Sequence, residues 1–195
     1  MKKILEIKII TLGNYSVGKS SFISKYVENY FTFNYISTLG VDFKQKEIKL
    51  KNGKNAILRI FDTAGQERFR AGSVNYIKHA DGVILIYDIG NIKSFKSLND
   101  WMETISEIGT EKLQVILVGN KCDISDKERE VSVEEGKDKA DEFKIPFFET
   151  SCKDGININE VFEKLIEDIL NKGDGNHLKR KDKIFKKEKN KKKCC

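Results

Sequence analysis

The chain has 195 residues, of which 39% are hydrophobic, and a formal net charge of +6. This length is enough for one globular domain with a buried core and too little for two domains of ordinary size. We expect neither a transmembrane helix nor a signal peptide, because no apolar run approaches the roughly 20 residues that span a bilayer.

Six strands are predicted, at residues 5–12, 41–50, 56–61, 82–88, 115–120 and 146–150. Helices are predicted at 19–28, 69–78, 94–108 and 132–143, between strands, and at 159–170, after the last strand. Two of the strands, 82–88 and 115–120, are apolar on both faces, which is typical of parallel strands covered by helices on both sides. The strand 41–50 is more polar, so we expect it at an edge, joined to the next strand by a hairpin turn at Asn52-Gly53.

The positive charge is concentrated near the C-terminus. Residues 179–193 contain ten Lys/Arg and two Asp/Glu, whereas the rest of the chain has a net charge of −2. Because the body carries no basic excess, we expect no nucleic-acid-binding face on it. The composition predicts a domain at 1–172 and a flexible basic tail at 173–195.

The first predicted strand and helix are joined by a phosphate-binding loop. Its two glycines allow the backbone to bend so that successive N–H groups converge on an anion at the start of a helix. The lysine reaches the β- and γ-phosphates, and the serine that follows ligates Mg²⁺. The predicted contacts are Gly13, Asn14, Tyr15, Ser16, Val17, Gly18, Lys19, Ser20 and Ser21.

A second group of residues lies between this loop and the middle of the chain. Asp62 follows a strand and is predicted to hold Mg²⁺ with Ser20. Gly65 can turn its N–H toward a γ-phosphate, and Gln66 can orient the attacking water. Thr38 can give its hydroxyl to Mg²⁺ and its N–H to the γ-phosphate. We therefore expect the segments around Thr38 and Gly65 to order in the triphosphate state.

A guanine-reading motif follows the fifth predicted strand. The Asp123 carboxylate can accept from guanine N1–H and N2–H together, and adenine offers no such donor pair. Asn120 is predicted to brace this loop, and the stem of Lys121 to cover the base. Phe31 is predicted either to pack against the base or to belong to the core. The remaining predicted nucleotide contacts are Tyr35 and the loop of Ser151, Cys152 and Lys153. The phosphate loop and the guanine-reading motif together predict that the ligand is GTP or GDP.

Four cysteines occur, at positions 122, 152, 194 and 195. Their spacing fits no zinc site, and the absence of a secretory signal argues against a disulfide framework. We expect a reducing cytosol. For Cys122 and Cys152 a role as small buried thiols is favoured over a redox role, which stays open.

These motifs closely resemble the small GTPases of the Ras superfamily, and within it the Rab family. The resemblance covers residues 5–171 and the last two positions. It rests on the segments 38–43, 62–69 and 87–89 and on the terminal cysteine pair, and the segment 36–44 looks most like Rabs of the secretory pathway. It implies a P-loop NTPase fold, with a six-stranded, mostly parallel sheet that has one antiparallel edge strand and helices on both faces.

The resemblance also implies function. It implies a GTP/GDP switch of slow intrinsic hydrolysis that recruits effectors to membranes in vesicle trafficking, with Lys19, Gly65 and Gln66 as catalytic residues. The implied partners are an exchange factor, a GTPase-activating protein, effectors, an escort protein for prenylation and a dissociation inhibitor. The aromatic patch that effectors read corresponds to Phe43, Phe61 and Tyr76, and Phe61 departs from the usual Trp.

Tyr15 is a further departure, since the family usually has Gly or Ser there. A bulky side chain beside the γ-phosphate would slow hydrolysis, which gives the alternative of a GTP-locked, hydrolysis-poor effector-binding module. The opposing interpretation is that the ring points outward and changes little.

The terminal cysteine pair resembles the doubly geranylgeranylated end of Rab proteins. Two lipid chains anchor a protein stably where one does not, and lysines near an anionic leaflet add attraction. We therefore expect lipidation of Cys194 and Cys195 and a peripheral location on the cytoplasmic face of intracellular membranes, cycling with the cytosol. A basic-tailed nucleic-acid binder is the disfavoured alternative.

Overall fold

The computed structural model describes residues 4–32, 41–63 and 70–172 of the chain. They form one sheet with the strand order β2-β3-β1-β4-β5-β6, in which β2 is antiparallel to β3 and all other neighbours are parallel. This confirms the predicted mostly parallel sheet with one antiparallel edge strand. The strands are β1 (Leu5–Leu12), β2 (Val41–Lys49), β3 (Asn55–Thr63), β4 (Gly82–Asp88), β5 (Gln114–Asn120) and β6 (Phe147–Thr150).

The helices of the described residues are α1 (Lys19–Glu28), α2 (Arg70–His79), α3 (Ile92–Lys96), α4 (Leu98–Ile108), α5 (Val133–Phe143) and α6 (Ile158–Lys172). The prediction of one helix at 94–108 was wrong, because two helices meet at Ser97. The Asn91 side chain accepts hydrogen bonds from the N–H groups of Lys93 and Ser94, so α3 starts two residues before the predicted helix. The Ser97 hydroxyl donates to the Lys93 carbonyl, a side-chain bond that competes with continuous helix.

The predicted hairpin turn joins β2 to β3. The Leu50 N–H donates to the Lys54 carbonyl at 2.8 Å, and Gly53 has φ +76°. The Asn52 side chain accepts a hydrogen bond from the Lys54 N–H at 3.1 Å, which stabilises the turn.

Helices cover both faces of the sheet, as predicted. Along β4, Ile84 and Ile86 belong to one core cluster, which α1 and α6 complete. Leu85 and Tyr87 point into the other, which α2, α4 and α5 complete around the buried Trp101. Both faces of this strand are therefore buried, which explains its uninterrupted apolar sequence.

The carboxyl ends of the parallel strands meet at one edge of the sheet, and the predicted functional loops follow them. The phosphate loop follows β1, and the two guanine loops follow β5 and β6. Crevices at this edge are where open α/β sheets bind ligands. Among the described residues, no helix combines the length and the apolar character that a bilayer crossing requires.

Candidate nucleotide-binding site

The phosphate loop runs between β1 and α1 in a backbone conformation that requires glycine. Gly13 has φ +137°, and a Cβ there would lie 2.0 Å from the Ile86 carbonyl oxygen. Gly18 has φ +97°, and a Cβ there would lie 2.4 Å from the Asn120 side-chain nitrogen. The two glycines thus let the loop pass closely over β4 and the β5 loop while it curves toward α1.

Lys19 lies inside the concave side of this loop and is 6% exposed. Its Nζ donates to the carbonyl oxygens of Gly13, at 3.0 Å, and Asn14, at 2.8 Å. Burial lowers the pKa of Lys19 to about 8, and the negative charge of Asp62 partly opposes that shift. An anion bound in the loop would stabilise the charged form, so the site electrostatically favours a phosphate ligand.

Two oxygen-bearing side chains meet beside the loop. The Ser20 hydroxyl donates to Asp62 Oδ2 at 2.5 Å, and Asp62 is 8% exposed. Hydroxyl and carboxylate oxygens are the ligand type that Mg²⁺ prefers, usually together with waters and substrate phosphates. Within the three described ranges, His, Cys, Asp and Glu side chains form no group of three or more suited to a metal ion.

Asn120 connects three loops through its buried side-chain amide. Its Nδ2 donates to the Val17 carbonyl in the phosphate loop at 2.8 Å. Its Oδ1 accepts from the Thr150 hydroxyl at 3.1 Å and from the Cys152 thiol at 3.4 Å. The loops after β1, β5 and β6 are therefore held in one fixed arrangement.

The carboxylate predicted to read guanine is held by the neighbouring loop. Asp123 Oδ1 accepts from the Ser151 hydroxyl at 2.6 Å, and Oδ2 lies 3.7 Å from Lys153 Nζ. Lys121 has φ +71°, and its Nζ forms an ion pair with Asp88 Oδ2 at 2.6 Å. These contacts orient Asp123 and restrict the Lys121 side chain.

The other predicted residues differ in their surroundings. Phe31 is half-buried and packs against the core cluster of α1 and α6, in line with the core interpretation of this ring. Tyr15 is 62% exposed. Ser16 is exposed with φ +62°, and Ser21 is half-buried in α1. Several predicted residues lie outside the described ranges: Tyr35, Thr38, Gly65, Gln66, Cys194 and Cys195.

The three aromatic residues predicted to contact effectors lie together on the surface. The ring centroids of Phe43 and Phe61 are 6.2 Å apart, and those of Phe61 and Tyr76 are 5.2 Å apart. Phe43 is 54% exposed and Tyr76 36%. They form a continuous apolar patch across β2, β3 and α2.

The two cysteines of the guanine loops have low thiolate character. Burial raises the pKa of Cys152 to about 12. Burial also raises the pKa of Cys122, which is only half-buried, and the nearby carboxylate of Glu149 adds to that shift. A raised thiol pKa lowers reactivity at neutral pH.

Sequence reasoning missed several contacts of the predicted site. Asp88 was not identified as the partner of Lys121, and Ser97 and Trp101 were not placed near the phosphate loop. Ser97 and Trp101 both form hydrogen bonds with the side chain of Asn14, from which they are separated by 83 and 87 positions in the sequence. No local motif could reveal these contacts, because they arise from packing between distant segments.

The chain is similar in sequence to known proteins over most of its length. The family model described as the Ras family matches residues 8–171. The chain is 48% identical over 165 residues to the Ras-related protein Rab-3 of Caenorhabditis elegans, covering 85% of this chain and 74% of the relative. It is 47% identical to human Ras-related protein Rab-3A, with the same coverage. It is 46% identical to Ras-related protein Rab-3C of Bos taurus, with 85% and 72% covered.

These similarities span the elements that carry the site, from the strand before the phosphate loop to the last helix. They support a cycling switch and give no support to the alternative of a GTP-locked module. The chain therefore belongs to the Rab family of small GTPases within the Ras family and acts as a GTP-hydrolysing switch that regulates vesicle trafficking.

Proposed function

We propose that this switch holds its guanine nucleotide across the carboxyl edge of the sheet. The phosphates lie at residues 13–20, and the base lies between the loops 120–123 and 151–153. The observation that carries the proposal is the hydrogen bond from the buried Asn120 amide to the Val17 carbonyl. It joins the loop with phosphate-binding chemistry to the loop with guanine-reading chemistry, so one elongated ligand can contact both.

The phosphate end combines backbone N–H groups at the start of α1 with one buried cation. Lys19 is held by two loop carbonyls at the inner side of the loop. A β- or γ-phosphate oxygen would give this desolvated ammonium the anionic partner that it lacks among those carbonyls. The helix N-terminus adds a favourable dipole.

Ser20 and Asp62 are the described residues that would hold Mg²⁺, and Thr38 would complete the protein ligands in the triphosphate state. The ion supplies positive charge that neutralises the phosphate oxygens. Gln66 orients the attacking water and Gly65 offers its N–H. The two arginines whose side chains the structure describes, Arg59 and Arg129, pair with Glu6 and Glu149, so neither serves the phosphates. An arginine supplied by an activating protein would therefore accelerate hydrolysis.

Exchange factors, activating proteins and effectors are the partners that Rab membership implies. We propose that effectors read the patch of Phe43, Phe61 and Tyr76. An escort protein would deliver the chain for lipidation at Cys194 and Cys195, and a dissociation inhibitor would extract it. In this proposal residues 1–172 form the GTPase domain, and the lipidated basic tail binds the cytoplasmic face of a membrane.

The test exchanges the guanine-reading carboxylate for an amide. Asp123→Asn replaces one of the two acceptor oxygens with an NH2 group, which faces a guanine donor without an acceptor, so GDP affinity should fall about 100-fold or more. Xanthosine diphosphate, whose ring carries a carbonyl in place of the amino group, should bind the variant better than GDP. Asp126→Asn is the matched control, because Asp126 is exposed three residues further along.

Both variants and the wild type would be titrated with fluorescent GDP in the presence of Mg²⁺, in competition with GDP, ADP and xanthosine diphosphate. The wild type and Asp126→Asn should prefer GDP over ADP by several orders of magnitude. A wild-type protein that binds ADP as tightly as GDP, or an Asp123→Asn variant with unchanged base preference, would refute the proposed site.

A further inference from the structure

The side chain of Asn14 is hydrogen-bonded on both of its polar atoms to the region where α3 meets α4. Trp101 Nε1 donates to Asn14 Oδ1 at 3.0 Å, and Asn14 Nδ2 donates to the Ser97 hydroxyl oxygen at 3.0 Å. Asn14 is the second residue of the phosphate loop. The loop is therefore attached to a helix that the nucleotide itself does not need to touch.

The chemistry of these two contacts selects an asparagine. An indole N–H can only donate, so it requires an acceptor from residue 14. The Ser97 hydroxyl already donates to the Lys93 carbonyl at 2.9 Å, so its oxygen offers only lone pairs and requires a donor. A side-chain amide supplies one acceptor and one donor in the correct places, whereas a carboxylate supplies no donor.

The same residue connects these contacts to the phosphate site. The backbone carbonyl of Asn14 accepts from Lys19 Nζ at 2.8 Å. Trp101 is 1% exposed and shares a core cluster with Ile77 of α2, so its ring is fixed by packing on all sides. A rigid indole thus holds the Asn14 side chain, and the Asn14 carbonyl in turn helps to place the lysine ammonium.

We propose that Trp101 and Ser97 are positioning residues of the nucleotide site, which act through Asn14 to hold the phosphate loop in its binding conformation and slow the release of GDP. The inference rests on the proposed binding of phosphates at residues 13–20. Preorganisation of this kind improves retention because the loop need not be ordered when the ligand binds.

The test measures the release rate of fluorescent GDP from the Mg²⁺ complex after excess GDP is added. Trp101→Phe keeps an aromatic ring in the core but removes the N–H, and Asn14→Ala removes both bonds. Each should release GDP about three- to tenfold faster than the wild type. Trp101→Phe and Asn14→Ala both remove the hydrogen bond between Trp101 and Asn14, so the double variant should release GDP about as fast as Asn14→Ala alone.

Two further variants separate positioning from simple destabilisation. Ser97→Ala is a mild change at a half-buried hydroxyl and should speed release about two- to threefold. Ile105→Val weakens the same helix and core cluster without touching the loop, and it should leave the release rate unchanged. If Ile105→Val speeds release as much as Trp101→Phe at equal loss of stability, the role is structural and the inference is overturned.

The hydrogen bond itself has a spectroscopic readout. Trp101 is the only tryptophan of the chain, so all indole emission comes from this site. The emission spectrum of GDP-bound Asn14→Ala should shift relative to the wild type, while that of Ile105→Val should not. An unshifted spectrum or unchanged release from Asn14→Ala contradicts the inference, whereas a wild type that retains no GDP contradicts the proposed site instead.

Discussion

Asn120 offers the sharpest test of how the site is assembled. Its side chain is 1% exposed and makes three hydrogen bonds, to the Val17 carbonyl, the Thr150 hydroxyl and the Cys152 thiol. Asn120→Ala removes the amide and leaves these three groups behind in a buried place. The substitution therefore tests the arrangement of the loops, independently of any ligand.

The magnitude follows from the groups left without a partner. A buried donor or acceptor that loses its partner costs about 1–3 kcal/mol. Loss of the partner of the Val17 carbonyl should carry the whole of this free-energy cost, because Val17 is fully buried. The Thr150 hydroxyl can rotate toward another acceptor, and the Cys152 thiol is a weak donor. We therefore expect the free energy of unfolding to fall by about 3 kcal/mol, which is about 100-fold in the folding equilibrium.

The assay is urea unfolding of the nucleotide-free protein, followed by the emission of Trp101. The midpoint should fall with an unchanged dependence on urea, which identifies a change in stability alone. Thr150→Val is the control, because it removes one hydroxyl but keeps Asn120 bonded to Val17, and it should cost about 1 kcal/mol. If Asn120→Ala costs no more than Thr150→Val, the amide does not connect the loops as described.

Three further predictions concern the backbone, the buried cation and the thiols. Gly13→Ala should lower the free energy of unfolding by at least about 3 kcal/mol, since its Cβ would lie 2.0 Å from a carbonyl oxygen of β4. Gly53→Ala should lower it by only about 1 kcal/mol, because Gly53 has φ +76° but no atom within 4 Å of the added Cβ. Urea unfolding midpoints of the two variants test this difference. Burial lowers the pKa of Lys19 from 10.5 to about 8, so between these values Lys19 is protonated in the unfolded chain and neutral in the folded one. Lys19 alone should therefore make the unfolding free energy of the nucleotide-free protein rise with pH across that window, by up to about 3 kcal/mol. Thiols and tyrosines of raised pKa act in the opposite direction, but equally in wild type and Lys19→Met, so in a pH series of urea titrations the stability difference between these two proteins should grow with pH in favour of the wild type. In a variant without the two C-terminal cysteines, iodoacetamide at pH 8 should modify half-buried Cys122 faster than buried Cys152, because burial raises the pKa of Cys152 to about 12. Peptide mass spectrometry measures both modification rates. Equal rates would contradict the difference in burial.

Local sequence patterns were sufficient for the sheet and for the loops that follow its strands. The apolar runs at 82–88 and 115–120 predicted strands buried on both faces, and burial is what makes such runs uninterrupted. Asn52-Gly53 predicted the hairpin because only a few residue pairs adopt its backbone conformation readily. The strand after Pro146 begins one residue later than predicted, since proline has no N–H to donate to a sheet.

The relations between loops depend on side chains that are distant in sequence, and their partners could not be derived from spacing. Ser97 shows the difficulty: its hydroxyl ends one helix locally by bonding Lys93, and the same oxygen then accepts from Asn14, 83 residues away. A periodic pattern records which face of a helix is apolar, but it carries no information about which loop meets a polar atom on that helix. The phosphate motif thus identifies the chemistry of the site, whereas contacts such as Trp101 to Asn14, which are visible only after folding, hold the loop in place.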